Sequence, residues 1–214
     1  MSDNPRETGN ESDAVRVVLA DANVLYSRVL RDYLLYAADQ EVIAITWSPQ
    51  ILAEVTEHLV RNVAGFDFAA GRRLAHAMNR AFPFAEIEPG AEHWRVLDEV
   101  LARMVLPDED DRHVLAAAVA AEATVLCTSN TRDFPADVMQ VLGVEVLTPD
   151  QLLSRLITEY QPQMFAAHRT AVTSLKGATD QSTLEALRRA GALTSAGLMS
   201  HLLELEHPEH GLAR

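Results

Sequence analysis

Short apolar runs that each stop at a polar turn and give way to a helical pattern constrain this chain more than any other feature. VRVVLA ends at Asp21, IAITW at Ser48, TVLCT at Ser129 and VEVLT at Pro149. Runs this short, rich in β-branched residues and bounded by turn residues, read as buried strands. Between them the apolar spacing changes. Residues 27–38 carry Leu30, Tyr33, Leu34 and Ala37 at helical intervals. Residues 49–62 place Ile51, Leu52, Val55 and Leu59 on one face, with Ser48 as cap and Pro49 at the first helical position. Further helices are predicted over 67–82, 92–104, 111–122, 136–142 (with Gly143 as C-cap) and 149–160, and FAEIE reads as a possible strand. Strands alternating with helices argue for an α/β fold, Rossmann-like, with a mostly parallel sheet flanked by helices.

Three segments follow from the same pattern. Residues 1–14 are polar and aperiodic, and read as a flexible tail. Residues 15–160 hold the α/β domain. Residues 161–214 form a small helical extension, with helical patterns over 165–175, 183–189 and 195–205 divided by Gly177 and Gly191. Packing on the domain or on a second subunit is its expected role, with contact to a substrate or a partner as the alternative.

Composition narrows the functional classes. No run approaches the roughly 18 apolar residues of a membrane span, and Glu122 interrupts the richest one, 114–127. The start, MSDNPRETGNESD, has no apolar core of a signal peptide, so a cytoplasmic location is expected. The single cysteine, Cys127, lies inside an apolar strand and reads as a core thiol. The net charge is −13, whereas general nucleic-acid binders are basic. Any polyanion contact must therefore be local, with Arg28, Arg31, Arg72, Arg73 and Arg80 as a basic rim or as an ordinary solvated face.

The ends of the strands carry the chemistry. Ligands of open α/β sheets bind beyond the carboxyl ends of strands. Asp21 follows the first strand, and Asn130 and Asp133 follow TVLCT. Glu54 lies on the helix after IAITW, and Asp111 opens the alanine-rich helix, where it can also act as a cap. Each acid taken singly has an ordinary reading as a turn, cap or solvated residue. Together they form a hard oxygen donor set. Mg²⁺ and Mn²⁺ favour such donors, and two such ions about 3.5–4 Å apart can drive phosphodiester hydrolysis. The eight histidines show no zinc spacing. His58 and His113 read as structural or supporting residues, and Asn130 or Thr128 can orient water or a carboxylate.

The pieces VVLADANVL, ILAEV, DEDDRHVLAAAVAAEA and VLCTSNTRDFP, in this order, resemble the PIN-domain nucleases, and most closely the VapC-type toxins of type II toxin–antitoxin modules. The resemblance covers about residues 15–150. It implies that Asp21, Glu54, Asp111 and Asp133 are the metal-binding acids, with Asn130 as a polar neighbour. Its register selects Asp111 over Asp108 and Asp110, and Glu54 over Glu57. It further implies an Mg²⁺- or Mn²⁺-dependent ribonuclease acting on RNA, a homodimer, and a small cognate antitoxin as partner. For residues 161–214 the alternative to packing is then contact to RNA or to an antitoxin. Two alternatives stay open: a structure-specific DNA nuclease of the same fold, and a non-catalytic PIN-like RNA-binding or interaction module.

Overall fold

The computed structural model describes residues 16–104 and 106–206. The tail expected over 1–14 lies outside the described residues. Four strands build the sheet: β1 (Arg16–Ala20), β2 (Ile43–Thr46), β3 (Val125–Cys127) and β4 (Glu145–Leu147). Their spatial order is β2-β1-β3-β4, and every pairing is parallel. Val18, Leu19, Ala20, Val125, Leu126 and Cys127 are buried, as expected of parallel strands covered on both faces.

Eleven helices accompany the strands among the described residues: α1 (Ala22–Leu25), α2 (Arg28–Asp39), α3 (Pro49–Asn62), α4 (Phe68–Ala81), α5 (Ala91–Leu101), α6 (Arg112–Ala120), α7 (Ala136–Leu142), α8 (Pro149–Glu159), α9 (Gln161–Thr173), α10 (Asp180–Arg189) and α11 (Leu193–Glu206). Their starts follow local chemistry. Ser48 accepts from the Ile51 amide at 3.1 Å and caps α3. Asp67 accepts from the Ala70 amide at 2.7 Å and caps α4. α7 stops at Gly143, whose φ of 70° is left-handed and cheap only without a Cβ. α4 crosses α3 at Gly71, where a Cβ would fall 2.1 Å from Thr56 Cγ2.

Chain order and spatial order together position the site. From β1 the chain moves to one neighbour, β2, and later returns to the other side as β3. The carboxyl ends of β1 and β3 therefore flank the point where the winding direction reverses, and a crevice opens there. The Asp21 amide donates to the Cys127 carbonyl at 3.0 Å, extending the β1–β3 ladder to the first site residue. Cys127 itself is fully buried, and burial pushes its thiol pKa up, as befits a core residue.

Two details differ from the sequence reading. FAEIE makes a single bridge, Glu86 to Trp47, instead of a strand. Trp47 donates to the Ala85 carbonyl at 3.0 Å, and its own carbonyl accepts from Ile87 at 2.8 Å. The segment is bracketed by Pro83 and Pro89, which have no amide proton to extend the ladder. Secondly, a separate short helix, α1, intervenes between β1 and α2, and Asp21 is its cap. Four residues are too few to show a helical period.

The extension is continuous with the domain core. Met164, Leu184, Leu187, Ala192, Met199 and Leu202 join the same buried cluster as the sheet residues. α9 packs on α2 and α11 on α8. A buried polar chain fastens the first contact. The Tyr33 hydroxyl donates to His168 Nδ1, and His168 Nε2 donates to Asp180 Oδ1 at 3.2 Å. Burial holds His168 below its ordinary pKa, so it serves this chain as a neutral ring. Asp150 fastens the second contact: it accepts from the Thr194 amide at 3.1 Å, the Ser195 amide at 2.8 Å and the Ser195 hydroxyl at 2.8 Å.

Candidate active site

The loops after β1 and β3 are tied to each other. The Asp21 side chain is buried, and one oxygen accepts from the Ala22 amide at 2.6 Å. The other accepts from Asn23 Nδ2 at 2.5 Å and from the Thr128 hydroxyl at 2.7 Å. Asn23 also donates to Thr128 Oγ1 at 2.9 Å, and its own side-chain oxygen accepts from the Ser129 amide at 2.8 Å. Thr128 thus orients the carboxylate of Asp21. Burial raises the pKa of Asp21, and nearby Glu54 adds to the rise, although the bonds from Thr128 and Ala22 oppose it.

Asp111 is the centre of the arrangement. It ends a 3₁₀ turn, Glu109–Asp111, and stands at the N-cap position of α6 as expected, but its side chain makes no capping bond. The carboxylate is thereby left for other uses. With Asp21 and Glu54 it lines a cleft of about 300 Å³. With Asp108 and Asp133 it forms a second set, in which one oxygen from each lies within 4.8 Å of the others. Burial, then the charges of Asp21, Asp133 and Asp108, push Asp111 up to about 6. All four sequence-predicted acids therefore meet through this one residue.

The supporting residues have definite positions. His113 Nε2 lies 2.7 Å from Glu54 Oε1 and fixes the glutamate. Its Nδ1 is buried with no hydrogen-bond partner among the described residues. Asn130 donates from Nδ2 to Asp133 Oδ2, and its amide donates to Thr128 Oγ1 at 3.0 Å. Asn130 and Thr128 therefore connect Asp133 to Asp21.

Sequence reasoning set aside Asp108 and His58 and passed over Arg61 and Tyr26. Asp108 faces Asp111 and Asp133, although in the chain it is one of four consecutive acids and only the turn separates their directions. Arg61 lies at the end of α3 and lines the cleft with the acids. Tyr26 and His58 stack at its edge, with ring centroids 3.8 Å apart and planes 18° apart. The basic rim is also differently placed. Arg31 is buried and donates to the Leu25 carbonyl at 2.6 Å, where it holds the α1–α2 corner. Arg72, Arg73 and Arg80 do not line the acidic cleft, and Arg72 faces a separate groove between α3 and α4.

Over residues 16–132 the chain matches the family model of the PIN domain. The chain belongs to the PIN-domain family. A curated protein of Mycobacterium tuberculosis that carries the name "Putative ribonuclease VapC50" is 41% identical over 51 residues. That match covers 24% of this chain and 30% of the relative, so the chain spans less than a third of the relative's length. No solved structure matches at a significant level. The matched region contains Asp21, Glu54, Asp108 and Asp111, and it ends one residue before Asp133, ahead of β4 and the extension. The donor set of this PIN domain is hard oxygen throughout, and His113 Nε2 is already engaged by Glu54. Such a set fits Mg²⁺ or Mn²⁺ in preference to zinc.

Proposed function

We propose that this protein is a metal-dependent endoribonuclease, which hydrolyses RNA phosphodiester bonds and serves as the toxin of a type II toxin–antitoxin module. The observation that carries this reading is the convergence of Asp21, Glu54, Asp111 and Asp133 at the reversal point of a PIN-domain sheet. The name of the mycobacterial relative points the same way. Asp21 and Asp111 hold the principal Mg²⁺ or Mn²⁺ ion in this scheme, and Glu54 and Asp133 complete its surroundings. When bound, the cation supplies charge stabilisation at the scissile phosphate and a more acidic water.

The chain's own residues do the remaining work. Thr128 and Asn23 lock the Asp21 carboxylate in one orientation, so no side-chain entropy is lost when substrate arrives. His113 holds Glu54 toward the cleft in the same way. Asn130 steers Asp133. Arg61 offers a guanidinium to a phosphate oxygen at the cleft edge. The expected partners are an RNA substrate, a cognate antitoxin and a second copy of the chain, in the cytoplasm. Among the described residues no helix is long and apolar enough to cross a membrane.

The test is RNA cleavage with Mg²⁺ or Mn²⁺ by the wild type, by the wild type in chelator, and by Asp21→Asn. Chelation abolishes cleavage, and Asp21→Asn lowers kcat by more than about a hundredfold. Undiminished cleavage by the variant removes the acidic site from the reaction. Preferential cutting of flap DNA overturns the choice of RNA. Growth arrest on expression, relieved by the neighbouring gene product, tests the toxin role.

A further inference from the structure

A larger cleft, about 640 Å³, adjoins the acidic one. The two share Asn23, Tyr26 and His58 along their common edge. One wall of the larger cleft belongs to the PIN domain: the α1–α2 corner, the last turn of α3 and Ser129 after β3. The opposite wall is the extension, through the end of α9 and the face of α10. Its size is that of a pocket for a nucleotide-sized ligand.

The chemistry of its lining is mixed in a specific way. The stacked Tyr26–His58 pair stands at the junction with the acids. Val63 and Leu175 line the cleft as exposed apolar side chains. Arg28 and Arg189 supply positive charge, and Arg28 is shared with Asp32 at 3.4 Å. Arg189 has no ion-pair partner among the described residues. A flat aromatic and apolar surface with a guanidinium at its rim suits an unpaired base and its phosphate.

We propose that this cleft binds the nucleotide flanking the scissile phosphate of a single-stranded RNA, and that the C-terminal extension exists in part to supply its outer wall. The proposal rests on the nuclease reading of the acidic site. The overall charge strengthens the argument. At −13 the protein repels a polyanion at long range, so an RNA strand must be held by short-range contacts beside the metal site. Among the clefts described, this one is continuous with the acids and has a cation free of ion pairs at its rim.

The experiment uses the full chain with Mg²⁺ and two substrates: short random-sequence single-stranded RNA, and bis(p-nitrophenyl) phosphate, which is too small to span both clefts. Ala186→Trp fills the cleft from α10, and Arg189→Ala removes an exposed charge without threatening the fold. The expected result is that Ala186→Trp lowers kcat/KM on RNA by about tenfold or more. Arg189→Ala reduces the salt slope of log affinity by about 0.7. Both variants keep wild-type rates on the small diester. Unchanged RNA kinetics in both variants, with the wild type active, overturn the cleft assignment and leave the acidic site standing. Loss of a co-expressed protein partner with unchanged RNA kinetics overturns it in favour of a protein ligand. A wild type inactive on both substrates overturns the nuclease reading and this proposal with it.

Discussion

Asp111 and Asp150 are both partly buried aspartates at the start of a helix, and the fold treats them in opposite ways. Asp111 accepts no capping bond and faces Asp21, Asp133 and Asp108, so burial and like charge lift its pKa to about 6. Burial also lifts Asp150, but the bonds from Ser195 and Thr194 outweigh it and leave its pKa below the ordinary value. One carboxylate is held in conflict with its surroundings, and the other is fully satisfied. Conflict of this kind is expected where something outside the chain relieves it, which supports the role proposed for Asp111 and a structural role for Asp150.

The comparison can be broken most severely at Thr128. Replacing it by Val keeps the shape but removes the hydroxyl that orients Asp21. The expected outcome is a kcat on RNA lower by about 10- to 100-fold, with a nearly unchanged urea midpoint. A comparable fall in stability would mean that the network serves the fold instead.

Asp150→Ala should show the reverse pattern. It removes the cap that α8 supplies to α11, at a cost of about 1–2 kcal/mol in urea unfolding. The rate per folded molecule on the small diester should not change. A selective loss of that rate would erase the distinction between the two aspartates.

The smallest expected effect sharpens the comparison through pH. Because the folded-state pKa of Asp111 is raised, its ionisation opposes folding above that value, and the metal-free fold gains from its protonation as pH falls toward the ordinary carboxylate range. Asp111→Asn should therefore have a higher urea midpoint than wild type at pH 7, and the gap should close near pH 4, about where the unfolded-state carboxyl titrates. Cation binding should move the other way. Calorimetry with Mn²⁺ should show affinity weakening as pH falls through about 6, since the proton competes for the same oxygens. For Asp150 the sign is opposite, because a depressed pKa gives stability that is lost as pH falls through the folded value.

Much of the fold could be read in advance because its signals are local. The four runs ending at Asp21, Ser48, Ser129 and Pro149 became the strands, and Ser48, Pro49 and Gly143 bounded helices as capping chemistry requires. FAEIE misled because alternation reports a pleated surface but not whether a partner edge is available. The acids themselves were visible, Asp21 and Asp133 after strands and Glu54 and Asp111 on helices, whereas their grouping was not. Nothing in the run Asp108–Asp111 says which side chains turn together, since a 3₁₀ turn of three residues sets that. Arg61 and Tyr26 were hidden for a different reason. Each looks like an ordinary helix-surface residue until the neighbouring element is in place. The cleft walled by α10 depends on contacts between segments more than a hundred residues apart, beyond the reach of any local pattern.

The hydrogen bond from the Asp21 amide to the Cys127 carbonyl has a consequence for motion. The amide that precedes the site is part of the central ladder, so it cannot open to solvent without separating β1 from β3. Its exchange with deuterium should follow global unfolding, while amides around Asp108 exchange through local fraying. One side of the site then keeps the lifetime of the whole fold, and the other keeps the lifetime of a surface turn.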